Sequence, residues 1–197
     1  ISKAKLVYFN RISVSGNNKT RDKVIRRELS FVEGDLYSRT KLKDSYMALN
    51  RLRYFEEIDF QSEKGPNESL TDVNIRVKEK TTGMFSVGAG YSATDNAIIT
   101  GSISQQNLFG RGQTLTLKAS LSGSSTLYQL SFLEPWLFDM PLSSKSDLWN
   151  TSRDYDTYNL KSQGFSTMLG YPLWERVNGY VEYRLSINNV RDVSDDA

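Results

Sequence analysis

The spacing of hydrophobic residues changes along this 197-residue chain, and the change falls near residue 81. Before it, an apolar strand pattern at 6–14 is followed by two stretches with helical spacing. After it, hydrophobic and polar residues alternate with a period of two almost to the end. The pattern therefore predicts two unlike domains, at residues 1–81 and 82–197.

The pattern of the first domain begins with the strand at 6–14 and a turn at 15–18. Thr20 is expected to cap a helix at 21–29, and Ser38 to cap a second helix. Four residues of that second helix have the spacing of a single apolar stripe. These are Leu42, Tyr46, Leu49 and Leu52.

Two more strands complete the predicted first domain. Ile58 and Phe60 alternate with charged neighbours, residues 65–67 form a hairpin loop, and residues 73–77 alternate again. The order is therefore strand, helix, helix, strand, strand. This order predicts an α+β domain in which two helices cover one face of a three-stranded sheet.

The alternation in the second domain predicts an all-β, antiparallel portion of a transmembrane barrel with about seven strands. Its runs have the length that a tilted strand needs to cross a bilayer, about 9–11 residues. The run at 142–151 is poorly patterned and is included because the spacing requires a returning strand. The predicted runs lie at 83–91, 98–104, 114–121, 128–132, 142–151, 165–171 and 181–187.

The turns between these strands differ in composition at the two ends of the predicted barrel. Turns at 92–96, 122–125 and 153–159 are rich in Ser, Thr and Asp, whereas those at 107–112, 134–139 and 172–175 carry Trp or Phe. Membrane barrels place aromatic residues at the bilayer interface. We therefore predict an aromatic belt on the side of the first domain. Its members are Phe109, Trp136, Phe138 and Trp174.

Composition restricts the chemistry that the chain can carry out. No run approaches the roughly 18 apolar residues of a membrane-spanning helix. The chain contains neither Cys nor His, which excludes disulfides, thiolate metal sites and Ser-His-Asp or Cys-His catalysis. An enzyme would have to use Ser, Asp, Glu or Lys, and no such constellation stands out. We therefore expect no enzymatic activity, no metal and no cofactor.

Charge also divides the chain, with a net +5 over residues 1–80 and a net −3 over residues 81–197. Arg26, Arg27, Arg51 and Arg53 supply part of the basic excess. Acidic residues are interleaved with them, and no nucleic-acid-binding signature accompanies them. A solvated surface explains this pattern better than a phosphate-binding groove, so no nucleic-acid partner is expected.

Several segments resemble a known family. VYFNRISVSGNNKTRDKVIRREL, EGDLYS and ALNRLRYFEEIDF look like a POTRA domain, and TGMFSVGAGYS, QQNLFGRGQ, EPWLF and GYPLW look like the start of a barrel. Together they resemble the BamA-type outer-membrane protein assembly factors, over the last POTRA domain and the first barrel strands. The resemblance implies a location in the bacterial outer membrane, with residues 1–81 in the periplasm.

The resemblance also implies partners and sites. The POTRA domain would contact accessory lipoproteins and unfolded outer-membrane protein clients, and the barrel would contact outer-membrane lipid. Lipoprotein docking would involve Arg26, Arg27 and Glu28. In this family the first barrel strand pairs weakly with the last, and client strands add to its edge. The corresponding residues here are Gly83, Met84, Phe85, Ser86, Val87, Gly88, Ala89, Gly90 and Tyr91.

Alternatives remain open at this point. The strand glycines could only relieve crowding in a curved wall, and Glu28 could only form surface ion pairs. A two-partner secretion transporter also combines POTRA domains with a barrel. A porin would lack a domain such as the one predicted at residues 1–80.

No signal peptide opens the chain, and seven strands cannot close the sixteen-stranded family barrel. The chain is therefore expected to belong to a longer one or to associate through its open edges.

Overall fold

The computed structural model describes residues 6–174 and 177–193. It contains two compact units, one formed by Ile1–Thr82 with Phe109–Arg111 and one by Gly83–Leu108 with Gly112–Ala197. Glu175 of the predicted turn at 172–175 lies outside the described residues. No helix among the described residues is long and apolar enough to cross a membrane.

The first unit has the predicted order of elements. They are β1 (Tyr8–Ser15), α1 (Asp22–Arg26), α2 (Arg39–Leu52), β2 (Phe55–Lys64) and β3 (Leu70–Glu79). β3 lies in the centre of the sheet, parallel to β1 and antiparallel to β2. Helix and strand residues share one hydrophobic core, which confirms the predicted α+β fold. Its fully buried members include Phe9, Val24, Ile25, Leu49, Val73 and Ile75.

The first helix is shorter than the predicted helix at 21–29, and Thr20 is not its cap. α1 begins after Arg21, which makes no side-chain cap hydrogen bond. Thr20 is buried instead, and its backbone N–H donates to Glu79 Oε1 at 2.6 Å. The prediction was wrong because a carboxylate from β3, distant along the chain, binds this segment. α1 also ends earlier than predicted, at Arg26, and Arg27 and Glu28 follow it in a turn.

The second helix agrees with its prediction more closely. Ser38 is the N-cap of α2, and its hydroxyl accepts a hydrogen bond from Lys41 N at 3.4 Å. Tyr46 is exposed, with its ring edge-on to Phe60, and the buried residue beside it is Ser45. The other residues of the predicted stripe pack in or against the core. They are Leu42, Leu49 and Leu52.

The second unit is a seven-stranded antiparallel sheet in which every strand lies beside its sequence neighbours. This confirms the predicted incomplete barrel wall, including the poorly patterned strand. Most strands extend beyond the predicted runs, and Pro172, Leu173 and Trp174 belong to a strand rather than to a turn. The strands are β4 (Gly83–Ser92), β5 (Asn96–Leu108), β6 (Gln113–Ser122), β7 (Ser125–Glu134), β8 (Ser143–Asp154), β9 (Asn159–Trp174) and β10 (Val177–Arg191).

The register of these strands sorts side chains onto two faces, because neighbouring residues of a strand point to opposite sides. One face, the apolar face, carries a complete hydrophobic row with one residue from each strand. The row is Phe85, Ile103, Leu117, Leu130, Leu148, Phe165 and Leu185. The opposite, polar face carries cross-strand hydroxyl pairs such as Ser104–Thr116 at 2.9 Å. This is the arrangement of a lipid-facing barrel wall with a polar interior.

Candidate functional site

β4 forms one edge of the seven-stranded sheet. Within the described parts of the chain it pairs with β5 alone, in an unbroken register from Gly83–Gln105 to Ser92–Asn96. All nine residues of the predicted client-pairing segment, 83–91, are exposed. In an antiparallel strand, backbone N–H and C=O groups point alternately to the two sides. About half of those of β4 therefore face away from β5 and can accept another strand.

Two of the strand's glycines have open space around them. A Cβ atom added at Gly88 or at Gly90 would meet no atom of this chain within 4 Å, whereas one at Gly83 would lie 3.1 Å from Gln105 Oε1. Crowding within the chain therefore does not explain Gly88 and Gly90. Glycine also weakens strand interiors, because it brings no side chain to pack and loses more backbone entropy on ordering.

The side chains of β4 follow the two faces of the sheet. Phe85, Val87 and Tyr91 lie on the apolar face and are exposed. Ser86 lies on the polar face, where its hydroxyl is 3.0 Å from that of Ser102. An added strand would therefore continue both faces, provided that its own residues alternate in the same way.

The four predicted belt residues all lie at ends of strands that run in the same direction. Phe109 directly follows β5, Trp136 and Phe138 follow β7, and Trp174 ends β9. Phe109, Phe138 and Trp174 are largely exposed, and Trp136 is half-buried. Phe109 and Phe138 also have left-handed backbone, with φ of 52° and 56°. Non-glycine residues adopt this conformation at an energetic cost.

The predicted docking residues are held in the first unit. Arg26 donates to Ile12 O at 2.7 Å, to Glu33 at 3.1 Å and to Asp22 at 2.5 Å. The hydrogen bond with Asp22 raises the pKa of Arg26, and Glu33 adds to the effect. Arg27 and Glu28 are 11% and 21% exposed, with Arg27 Nε 3.8 Å from Glu28 Oε1. Arg26 therefore has a structural role, and the side chains of Arg27 and Glu28 are more shielded from solvent than that of Arg26, which is 39% exposed.

Sequence reasoning missed one cluster in the second unit. Asp95, in the turn between β4 and β5, binds Arg153 on β8 and Ser124 between β6 and β7. The abundance of Asp and Ser in these turns was visible in the sequence, but their pairing depends on strand register. Over the described residues, no three His, Cys, Asp or Glu side chains are grouped to hold a metal ion.

Comparisons with known proteins agree with this architecture. The model of the POTRA family, described as surface antigen variable number repeat, matches residues 7–80, and that of the Omp85 superfamily domain matches residues 107–197. BamA of Nitratidesulfovibrio vulgaris is 34% identical over the whole chain. The chain spans 25% of the length of that relative.

Solved structures give the same result. BamA from Haemophilus ducreyi lacking POTRA domains 1–3 matches with a TM-score of 0.84 and 26% identity, over 95% of this chain and 36% of that one. CdiB from Acinetobacter baumannii matches with a TM-score of 0.65 and 16% identity, over 96% of this chain and 39% of that one, which shows a shared fold alone.

A POTRA-type α+β unit followed by the antiparallel wall of a barrel defines a class of outer-membrane β-barrel proteins. The chain resembles the BamA-type proteins of the Omp85 superfamily, and this resemblance, predicted from the sequence, is confirmed. The predicted location is confirmed as well, with the strands in the outer membrane and the POTRA domain in the periplasm.

Proposed function

We propose that the protein to which this chain belongs assembles β-barrel proteins in the outer membrane, and that β4 is the strand to which client strands add. The observation that carries the proposal is the edge position of β4, which pairs on one side only within the described chain. The assembly role of the BamA relatives, stated in their names, supports the same function.

The mechanism is β-augmentation. Main-chain hydrogen bonds supply the affinity, and they do not depend on the client's sequence. Alternation of polar and apolar residues is the only pattern that a client strand must bring, since it must continue both faces of the wall. Gly88 and Gly90 keep this edge weakly packed, which favours exchange of one partner strand for another. The process forms and breaks hydrogen bonds, and no covalent bond changes.

The other parts of the chain would support this step. The POTRA unit would receive unfolded clients and accessory lipoproteins in the periplasm, with Glu28 and its neighbours Arg26 and Arg27 at the lipoprotein contact. The exposed belt residues Phe109, Phe138 and Trp174 would fix the depth of the wall in the lipid, because aromatic rings favour the bilayer interface.

A photo-crosslinking experiment with the full-length protein in membranes tests the template role. A photoreactive amino acid replaces Val87 on β4 in one variant and Ala119 on β6 in the control variant. The two residues lie in the same row of the apolar face, with Gly101 between them. Their depth and surroundings are therefore matched, and the main difference is the position of the strand.

During insertion of a radiolabelled outer-membrane barrel protein, we expect client crosslinks at Val87 and few at Ala119. Equal yields at the two positions would refute the template role. Crosslinks to an exported soluble protein, without any to an inserting barrel protein, would instead indicate a two-partner secretion transporter.

A further inference from the structure

The far end of the second unit is the end at which β4 finishes and β5 begins. At this end, one carboxylate joins three parts of the sheet. Asp95 accepts hydrogen bonds from Ser124 Oγ at 2.8 Å and from Arg153 Nη2, which lies 2.9 and 3.0 Å from the two carboxylate oxygens. Ser124 lies in the β6–β7 turn, and Arg153 lies on β8. We call Asp95, Ser124 and Arg153 the far-end clamp.

Backbone hydrogen bonds extend the far-end clamp. Gly123 N donates to Asp95 O at 3.2 Å, and Asp154 N donates to Ser124 O at 2.8 Å. The side chain of Asp95 is only 15% exposed. The side chain of Arg153 is 43% exposed, so the pair is shielded on the carboxylate side only, and its strength comes from hydrogen bonds between charged groups.

The far-end clamp connects strands that are not neighbours. β6 and β7 separate the β4–β5 hairpin from β8 in the sheet. The turn between β6 and β7 contains only residues 123 and 124, so no long loop stands between Asp95 and Arg153. The edge hairpin is therefore tied to the wall at two places, by the β5–β6 ladder along its length and by Asp95 at its tip.

We propose that the far-end clamp keeps the edge strand β4 ordered before a client arrives, and that Asp95 is a positioning residue for strand addition. This inference rests on the proposed template function. A template that is already ordered loses less conformational entropy when a strand pairs with it. Asp95 lies in the turn, outside β4, and so need not contact the client. It would act through the hairpin whose tip it holds.

Hydrogen exchange of the full-length protein in lipid nanodiscs tests the far-end clamp directly. In Asp95→Asn we expect amide exchange at residues 91–98 to rise about tenfold, because the charge-assisted bonds to Arg153 are lost. Exchange in β7 and β9 should stay as in the wild type. Glu182→Gln is the matched control, since it removes the carboxylate of another ion pair, Arg184–Glu182, on β10 of the same sheet.

Two further variants distinguish the loss of the Asp95–Arg153 ion pair from a general loss of structure. Arg153→Lys should retain slow exchange, because a single nitrogen, Nη2, contacts Asp95 and a lysine ammonium can replace it. The double variant Asp95→Asn/Arg153→Gln should exchange no faster than the faster of the two single variants. Both substitutions remove the same interaction, so their effects should not add. Unchanged exchange in Asp95→Asn, or an equal rise in every strand, would overturn the far-end clamp.

Crosslinking at Val87 tests the link to strand addition. In Asp95→Asn the yield of client crosslinks should fall by about threefold or more, and it should not fall in Glu182→Gln. Faster exchange with an undiminished crosslink yield would overturn the positioning role. If the photoreactive residue at position 87 gives no more crosslinks than the one at position 119 in the otherwise wild-type protein, the proposed function fails. The exchange measurements then still decide whether the far-end clamp orders the hairpin.

Discussion

Glu79, the last residue of β3, accepts a hydrogen bond from the backbone N–H of Thr20 at 2.6 Å, and its second oxygen accepts from Lys19 N at 2.9 Å. Burial raises the pKa of this carboxyl, but hydrogen bonds from the Thr20 side chain and from the Thr20, Lys19 and Asn18 N–H groups outweigh that effect. The pKa of Glu79 therefore lies below its ordinary value, and the ionised carboxylate closes the β1–α1 connection onto the sheet.

Replacing Glu79 by glutamine should destabilise the first unit by about 1–3 kcal/mol. The amide retains one acceptor oxygen but turns an NH₂ group towards a backbone donor. The measurement is hydrogen exchange of α1 and β3 in the full-length protein. Glu63→Gln on the exposed part of β2 is the control, and an equal effect of the two changes would contradict this role.

The same interaction predicts a pH dependence. Because the folded-state pKa of Glu79 is lowered, its contribution is complete above the unfolded-state pKa and is lost as the pH falls through the lowered value. Protection of α1 and β3 should therefore decrease below about pH 5, after correction for intrinsic exchange rates. In Glu79→Gln this decrease should be smaller, since the titrating group is absent.

Gly16 should tolerate alanine less well than Gly34, although both have positive φ, 86° and 91°. A Cβ at Gly16 would lie 1.9 Å from the carbonyl oxygen of Val77, whereas one at Gly34 would have open space. Gly34→Ala carries only the backbone strain of about 1–2 kcal/mol. Gly16→Ala should lose about 1–3 kcal/mol more, measured as exchange of β1 and β3. Equal losses would show that the close approach to Val77 is unimportant.

Periodicity allowed the sequence to predict every strand of the second unit except β8, because both faces of a barrel wall are specified by alternation; β8 was predicted from the spacing of its neighbours. β8 was the weakest prediction, and the register explains why. Only Leu148 among its residues on the apolar face is hydrophobic, whereas Trp149 points to the polar face. On that face the ring of Trp149 lies beside Gly164 and 5.5 Å from the guanidinium of Arg184.

Interactions between distant segments could not be predicted in the same way. The local sequence predicts Thr20 as a helix cap, because nothing in the neighbouring sequence competes with that role. The folded sheet brings Glu79 to Thr20. Asp95 and Arg153 are separated by 58 positions and meet only when the intervening strands have formed in register. The position of the open edge at β4 was predictable from the order of the strands, whereas the open space around Gly88 depends on how the strands pack in three dimensions.

The two roles suggested for the segment 26–28 can be separated by comparing Arg26→Ala with Glu28→Gln. Arg26→Ala should destabilise the first unit by about 1 kcal/mol, since Arg26 joins α1 to Ile12 O and Glu33 but is partly solvent-screened. Glu28→Gln keeps the shape of the side chain and only weakens a 3.8 Å ion pair with Arg27, so it should change stability by less than about 1 kcal/mol. It should lower the recovery of accessory lipoproteins with the full-length protein. Wild-type recovery from Glu28→Gln would refute docking through this carboxylate.

Gly164 and Gly88 should respond to alanine in opposite ways, although both lie on the polar face, in adjacent rows of the sheet. A Cβ at Gly164 would lie 2.3 Å from Trp149 Cζ2 and 2.4 Å from Leu185 O, whereas one at Gly88 would meet nothing within 4 Å. Gly164→Ala should destabilise the barrel by about 1–3 kcal/mol, because a backbone oxygen cannot move aside cheaply.

Gly88→Ala should instead stabilise the wall by about 0.5–1 kcal/mol, because alanine loses less backbone entropy in a strand than glycine does. The temperature at which the full-length protein loses its compact form on semi-native gels measures both changes. A stabilised edge should also exchange partner strands more slowly, so client crosslinking at Val87 should decrease in Gly88→Ala without any loss of barrel stability. Destabilisation by Gly88→Ala equal to that by Gly164→Ala would mean that Gly88 is needed for packing and not for a weakly held edge.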